Sequence, residues 1–296
     1  MAIVERKSRG ERALHGTNIA LLVILTVIFL YPMWHCLMAS FSNPTQLIGY
    51  RGFLLKPLGH SMEGYKAVLK NKNILTGYGN TLLYTGVGTL INILLTVMGG
   101  YCLSRRNLMW KKPITMLVVF TMYVDFGLIP AFLNVRDLGM IDTRWAILLP
   151  EAINSYNLVV MRTAFSAIPP ALEESARLDG ANDITILFRI LLPLAKATLA
   201  VIALFYAVGH WNSWYSAMIY LQNRDKFPLQ LFLREILIAN TSQLSTQPKG
   251  RLDVVQHLDE LIKYCSIVVS TLPILLVYPF AQKYFVTGIM IGSVKG

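Results

Sequence analysis

Acidic residues are scarce in this chain, and charge of either sign is missing from long stretches of it. The 296 residues hold 16 Asp and Glu against 27 Lys and Arg. Charged residues make up 15%, where a soluble domain carries about 25%. No Asp, Glu, Lys or Arg occurs between Arg12 and Arg51, from Asn73 to Ser104, from Ala197 to Asn223, or from Tyr264 to Gln282. A soluble core of ordinary size is therefore a poor fit. Cysteine is also rare. Cys36, Cys102 and Cys265 lie in or beside separate apolar runs and form no CxxC pair. That argues against a disulfide framework and a thiolate metal site and for small buried hydrophobes. The phosphate cradle G-x-x-x-x-G-K-[ST] is missing too, so any ATP chemistry must lie in another chain. The first apolar run is longer than a signal-peptide core and has no small-x-small exit, so it reads as retained.

What is present is apolar sequence in membrane-sized lengths. Hydrophobic residues make up 54%, and the mean hydropathy is +0.50. A spanning helix needs about 20 mostly apolar residues. The runs predict an all-α membrane protein with six transmembrane helices, over 17–39, 80–104, 113–135, 145–162, 195–220 and 264–285. Two of the runs carry one acid each, Asp125 and Glu151. The tail over 1–16 contains "ERKSRGER", and Arg105–Lys112 holds four bases. The connection Asn134–Thr143 holds Arg136 alone. The positive-inside rule then places both basic segments, and hence both termini, in the cytoplasm. The spans occupy 17–285, with extracytoplasmic loops over 40–79 and 221–263, a cytoplasmic loop over 163–194, and an inner tail over 286–296. Loops longer than about 15 residues are usually functional or disordered. The second outer loop has helix-like stretches near 229–239 and 254–262 around a Ser/Thr/Gln/Pro hinge. It fits either a contact surface for something outside or a cap over the bundle.

The inner loop holds "EESARLDGAND" (173–183), a charged stretch between apolar ones. Pro169 and Pro170 suit a first helical turn, which has no use for their missing N–H groups. The helix runs on to Leu178, Gly180 ends it in the left-handed conformation, and Asn182 or Asp183 caps the next helix. Pro193 marks the entry to the fifth span. The short helix is expected to expose Glu174, small Ser175 and Ala176, and Asp179. Small residues permit close approach of another protein, and the acids offer it charge.

At these positions the chain resembles a family. Glu174, Ser175 and Ala176, then Gly180, then Ile190, Leu192 and Pro193 follow the E-A-A-x-x-x-G-x9-I-x-L-P signature. That signature belongs to the membrane permeases of binding-protein-dependent ABC importers. Ser175 replaces the first alanine of the motif, small for small. "DGA" at 179–181, "WN" at 211–212 and the closing "GSVKG" are similar to the carbohydrate-uptake branch. "KFPLQLFLREI" and "HWNSWY" look like its complex-oligosaccharide subset. The resemblance implies a bacterial inner-membrane or plasma-membrane subunit that translocates a sugar or oligosaccharide. It implies a second permease, usually unlike, two cytoplasmic ATPase subunits that hold ATP and Mg, and an extracytoplasmic sugar-binding protein. It makes Glu174–Ala181, with Leu192 and Pro193, the coupling element that fits an ATPase cleft. It also extends Ser293, Val294, Lys295 and Gly296 toward the ATPase dimer. No cofactor, metal, catalytic residue or nucleic acid is expected for this chain.

Further residues are assigned by chemistry. Trp211, Asn212, Trp214 and Tyr215 read either as pore lining, by ring stacking and amide hydrogen bonds, or as an interfacial aromatic belt. Asp125 lies mid-span, where an acid is a functional candidate by default. It faces the pore, or is protonated or paired in a helix contact. Glu151, near Asn154, Tyr156 and Asn157, either joins a hydrophilic sugar path or pairs with Arg144 or Arg136. Gly86 and Gly88 suggest close helix packing, and His210 a packed or bonded role. Two rival classes are a proton-coupled secondary transporter using Asp125 and Glu151, and a hydrolase using Ser213 with His210. The first leaves the 173–183 stretch unexplained. The second has no third residue to orient the histidine.

Overall fold

The first predicted span, over 17–39, lies within a single helix, α1 (Arg9–Ser40). The computed structural model describes residues 9–243 and 253–293, and every regular element among the described residues is helical. Lipid supplies no hydrogen bonds, so polar groups within such a helix must be satisfied from within it. Thr17 and Thr26 do this by donating to the carbonyls of Ala13 and Leu22 at 3.0 and 2.7 Å. Leu25, Phe29 and their apolar neighbours remain exposed, as a lipid-facing surface requires.

The chain divides into two compact units. The first comprises 1–70 and 237–269. After α1, Asn43 caps α2 (Pro44–Ile48) through the amide of Thr45. The following segment folds back on the end of α1. Leu54 donates its amide to the Tyr31 hydroxyl, and the Trp34 indole donates to the Leu55 carbonyl, both at 3.1 Å. Helix α3 (Glu63–Lys70) then packs through Gly64, where a β-carbon would lie 2.6 Å from the Cys265 sulfur. The connection between the first two predicted spans is therefore ordered structure.

The second unit comprises 71–236 and 270–296. Its axis is α4 (Lys72–Ser104), capped by Asn71. The run predicted as one span over 113–135 is two helices, α5 (Lys111–Tyr123) and α6 (Leu128–Asp137), bent by 116° at a break ending in Gly127, φ +85°. The run over 145–162 is likewise two helices, α7 (Trp145–Leu148) and α8 (Ser155–Ser166). Pro150 supplies no amide to continue the first, and Asn154 starts the second by capping the amide of Asn157.

Next come α9 (Pro170–Leu178), α10 (Asp183–Thr185), a π-helical turn at Ile186–Leu191, and α11 (Leu192–Leu194). An 87° bend at Ala195 leads into α12 (Lys196–Trp211). The run over 195–220 continues, after a break at Asn212 and Ser213, as α13 (Trp214–Tyr220). A 3-10 turn at Arg224–Lys226 precedes α14 (Leu229–Gln243). The last helix, α15 (Asp253–Ser293), takes in both the helix expected near 254–262 and the span expected over 264–285. It also runs through most of what was read as the inner tail.

Among the described residues three segments can each cross a bilayer by length and apolar character: Ala13–Ser40, Lys72–Ser104 and Glu260–Pro279. Counting each bent pair as one span gives five, not six. The difference lies in α7 and α8. At 1.5 Å per residue neither covers a hydrocarbon core about 30 Å thick. The second unit has one apolar core around Tyr84, Ile147 and Phe232 and another around Val97, Phe165 and Ile186, toward opposite ends of α4.

Candidate functional site: a helix clamp and a polar cavity

Helix α9 begins at Pro170, with Pro169 in the capping position. It ends in a Schellman arrangement. The Ala181 amide donates to Ala176 O at 2.9 Å and the Gly180 amide to Arg177 O at 3.1 Å. Gly180 has φ +83°, and Asn182 caps the next helix through the Thr185 amide. The glycine stop and the cap are thus where the sequence places them. Of the four residues expected to be exposed, Glu174, Ser175 and Asp179 are, and Ala176 is not. Ala176 is buried in the core with Phe165 and Ile186, so it serves internal packing. Leu178 is 90% exposed, and Glu174, Ser175 and Asp179 are exposed around it. A leucine left bare beside a glycine turn is the kind of apolar contact that a partner covers.

A charge network fixes α9 to the end of α4. The Arg105 guanidinium grips Glu173 and lies over the Tyr101 ring, 4.3 Å from its centroid. Arg177 pairs with Glu173 at 3.1 Å and with Asp183 at 2.5 Å. The Tyr101 hydroxyl donates to Asp183 at 2.8 Å. That hydroxyl, followed by the Arg177 and Arg105 charges, holds the Asp183 carboxyl below its usual range. Tyr101, Arg105 and Glu173 border a cavity of about 700 Å³ between the two elements. Leu192 and Pro193 continue from the π-helical turn, and Leu192 packs against the core that holds Tyr101 and Ala176. Sequence reasoning did not single out Tyr101 or Arg105. Their partners lie 82 and 68 positions away, respectively, so no local periodicity marks them. The available signal was the presence of unlike charges in two segments flanked by apolar sequence, Arg105–Lys112 and Glu173–Asp183.

A second cavity, about 440 Å³, brings together Glu151, Asn154, Tyr156 and Asn157 with Tyr206 and Ser213. Its wall is knitted by hydrogen bonds. The Asn154 amide donates to the Tyr206 hydroxyl at 3.0 Å, and that hydroxyl meets Thr96 at 2.7 Å. Asn92 donates to the Glu151 carbonyl at 2.7 Å, and its side-chain oxygen faces His210 Nε2 at 2.9 Å. A β-carbon on Gly88 would lie 2.4 Å from that ring nitrogen, whereas Gly86 faces open space. His210 is thus a bonded wall residue. Ser213 donates to the His210 carbonyl rather than to its ring, which disposes of the nucleophile pairing.

The other sequence-derived candidates fall elsewhere. Asp125 lies in the break between α5 and α6, exposed, its carboxylate accepting from the Gly127 amide at 2.9 Å. It does not line the Glu151 cavity. Trp211 is buried and donates to the Ser270 carbonyl at 3.3 Å. Asn212 ends α12 and donates to Val208 O at 3.0 Å. Trp214 lies under the Arg234 guanidinium at 4.9 Å, and Tyr215 packs edge-on against it. Ser293 ends α15, while Val294, Lys295 and Gly296 lie outside the described residues.

At the other end of α4, Asp142 organises two connections. Its carboxylate accepts from the amides of Gln222 and Asn223 at 3.1 and 3.0 Å and from Lys226 at 3.1 Å. These bonds, the backbone ones first, hold its carboxyl below the usual range. Asn80 and Tyr84 donate to the carbonyls of the same loop.

Comparison with known proteins places this arrangement in context. The family model described as binding-protein-dependent transport system inner membrane component matches residues 92–225. That stretch contains α9 and the Glu151 cavity. The chain is 39% identical to the polygalacturonan/rhamnogalacturonan transport system permease protein YtcP of Bacillus subtilis (strain 168), over 93% of this chain and 96% of that one. It superposes with a TM-score of 0.87 and 36% identity on a chain of a bacterial ABC transporter involved in the import of the acidic polysaccharide alginate, covering 95% of this chain and 100% of the other. A chain of a bacterial alginate ABC transporter in complex with an alginate pentasaccharide-bound periplasmic protein shares the fold at 16% identity and a TM-score of 0.59, over 92% and 93% of the two chains.

Proposed function

The chain belongs to the binding-protein-dependent transport system inner membrane component family, and we propose that it is the membrane-spanning permease subunit of an ATP-driven sugar or oligosaccharide importer. The observation that carries this reading is α9. It is clamped to α4 by Arg105 and Tyr101 while its Leu178 stands bare. A helix fixed to a membrane-length helix, with an apolar knob on its free side, is suited to receive a push. Glu174, Ser175, Asp179, Gly180 and Ala181 complete the contact, and the residues at 293–296 add to it. The partners in this reading are two ATPase subunits holding ATP and Mg, a second and unlike permease, and an extracytoplasmic binding protein. Both termini are cytoplasmic.

The saccharide names of the relatives support the substrate class. The Glu151 cavity supports it chemically. Asn157, Tyr156 and Ser213 offer donors and acceptors to hydroxyls, and Tyr206 and Tyr156 offer ring faces. Asn212 and Tyr215 extend the path. Asp125 lies apart from that cavity, which leaves a proton relay through Asp125 and Glu151 without a connection.

The test uses the complex reconstituted with its ATPase and binding protein. Leu178→Glu should lower ATPase retention and the hydrolysis stimulated by loaded binding protein at least tenfold, while membrane insertion is unchanged. Parent-level values for both would overturn the reading.

A further inference from the structure

The turn between α4 and α5, "RRNLMWKK" (105–112), carries more positive charge than the structure answers. Arg105 is neutralised by Glu173. Arg106, Lys111 and Lys112 enter no ion pair among the described residues, and neither does Arg162 on the neighbouring helix α8. Lys111 stands within electrostatic reach of Arg162, Arg105 and Arg106. Its ammonium reaches only backbone oxygens, those of Ser104 and Arg105 at 3.1 and 2.9 Å. The Arg162 Nε is buried with no hydrogen-bond partner. A buried unpaired donor on a guanidinium, set among like charges, is unfavourable unless an anion completes it.

The tip of the same turn is apolar. Met109 and Trp110 are 77% and 69% exposed. Trp110 adopts φ +63°, a conformation bulky residues rarely take. Strained residues of this kind concentrate at functional sites. An exposed indole between basic pairs, at the end of a membrane-length helix, matches the depth at which tryptophan prefers to sit, the headgroup layer.

We propose that this turn and Arg162 form a binding site for the phosphate of an anionic phospholipid, with Met109 and Trp110 inserted beside the headgroup. The bilayer is favoured over a free anion because the apolar tip has no use for inorganic phosphate. The lipid would bear on coupling, since Arg105, in the same turn, is the residue that holds α9.

Native mass spectrometry of the detergent-purified full chain tests this with phosphatidylglycerol, phosphatidylcholine and inorganic phosphate as probes. Preferential retention of phosphatidylglycerol is expected. Each exposed base removed should weaken it about fivefold, so Arg106→Ala with Lys111→Gln should cost more than twentyfold. Lys111→Arg should keep the preference, and Trp110→Ser should weaken retention with every charge in place. A millimolar phosphate competitor should leave the lipid bound. Equal retention of the two lipids, or an unchanged preference in the double variant, would overturn the proposal. Complete displacement by phosphate would reassign the site to a free anion and overturn it as well.

Discussion

The Arg105 guanidinium lies over the Tyr101 ring, 4.3 Å from its centroid, one residue past the end of the helix that carries the tyrosine. From there it reaches Glu173 on α9. The ring contact restrains the guanidinium, so the salt bridge does not have to order a free side chain. That matters because much of an exposed ion pair's weakness is the entropy of holding two long side chains. Here both partners are only about 20% exposed.

Glu173→Gln should therefore cost about 1.5–3 kcal/mol, the range for hydrogen bonds to charged groups, because Arg105 and Arg177 would share a neutral partner. The measurement is a double-mutant cycle with Arg105→Gln on the unfolding of the purified chain. Additivity within about 0.5 kcal/mol would mean that the two residues do not interact.

Ala176 and Leu178 should separate folding from docking. Ala176→Trp overfills the core around Phe165 and should destabilise by about 1–3 kcal/mol or more. Leu178→Ala, at 90% exposure, should leave stability within about 0.5 kcal/mol yet reduce retention of the ATPase. A stable Ala176→Trp chain that fails only in ATPase retention would restore Ala176 to the docking surface.

Gly180→Val should suffer from backbone conformation alone, because a β-carbon there meets nothing within 4 Å. The cost is about 1–2 kcal/mol for a left-handed residue. Gly180→Asn should be milder, since asparagine tolerates that region. Equal thermal stability of the two variants would contradict this.

Gly88→Ala forces a methyl into the His210 ring, at 2.4 Å from Nε2. Overpacking of this kind costs about 1–3 kcal/mol. It should also part His210 from Asn92 and so loosen the Glu151 cavity. Solute uptake and the unfolding midpoint should fall together, while Gly86→Ala should change neither.

Acid should release the Asp142 clamp. Its carboxyl is depressed by the amides of Asn223 and Gln222 and by Lys226. The stabilisation is therefore complete above the unfolded aspartate value and disappears as pH falls through the lower folded one. Hydrogen exchange at Gln222 and Asn223, corrected for intrinsic rates, should accelerate over that interval and stay flat in Asp142→Asn. Parallel profiles in the two proteins would exclude Asp142 as the titrating group.

What the sequence revealed and what it hid divide along local and distant interactions. Runs without charge marked α1, α4 and α15, because apolar length is a local property. The turn at Gly180 and the cap at Asn182 were legible for the same reason, as each is decided within a few residues. The runs holding Asp125 and Glu151 misled, since apolar composition does not say where a helix breaks. The break at Gly127 needs a positive φ, and the one near Pro150 needs a missing amide. Ala176 looked like surface because smallness suits both a docking face and a tight core. The Arg105–Glu173 pair joins residues 68 positions apart, which no window along the chain contains.

The π-helical turn at Ile186–Leu191 leaves this chain with a reserve of length. Such a turn winds one more residue into the path than an α-helix would. Deleting a single residue there can be absorbed by rewinding to α geometry, and α9 would then keep its bearing relative to α12. The same deletion inside α12 would swing every following side chain about 100° around the axis. The segment joining the clamp to the cavity is thus a place where an ancestor could have gained or lost a residue without disengaging its partner.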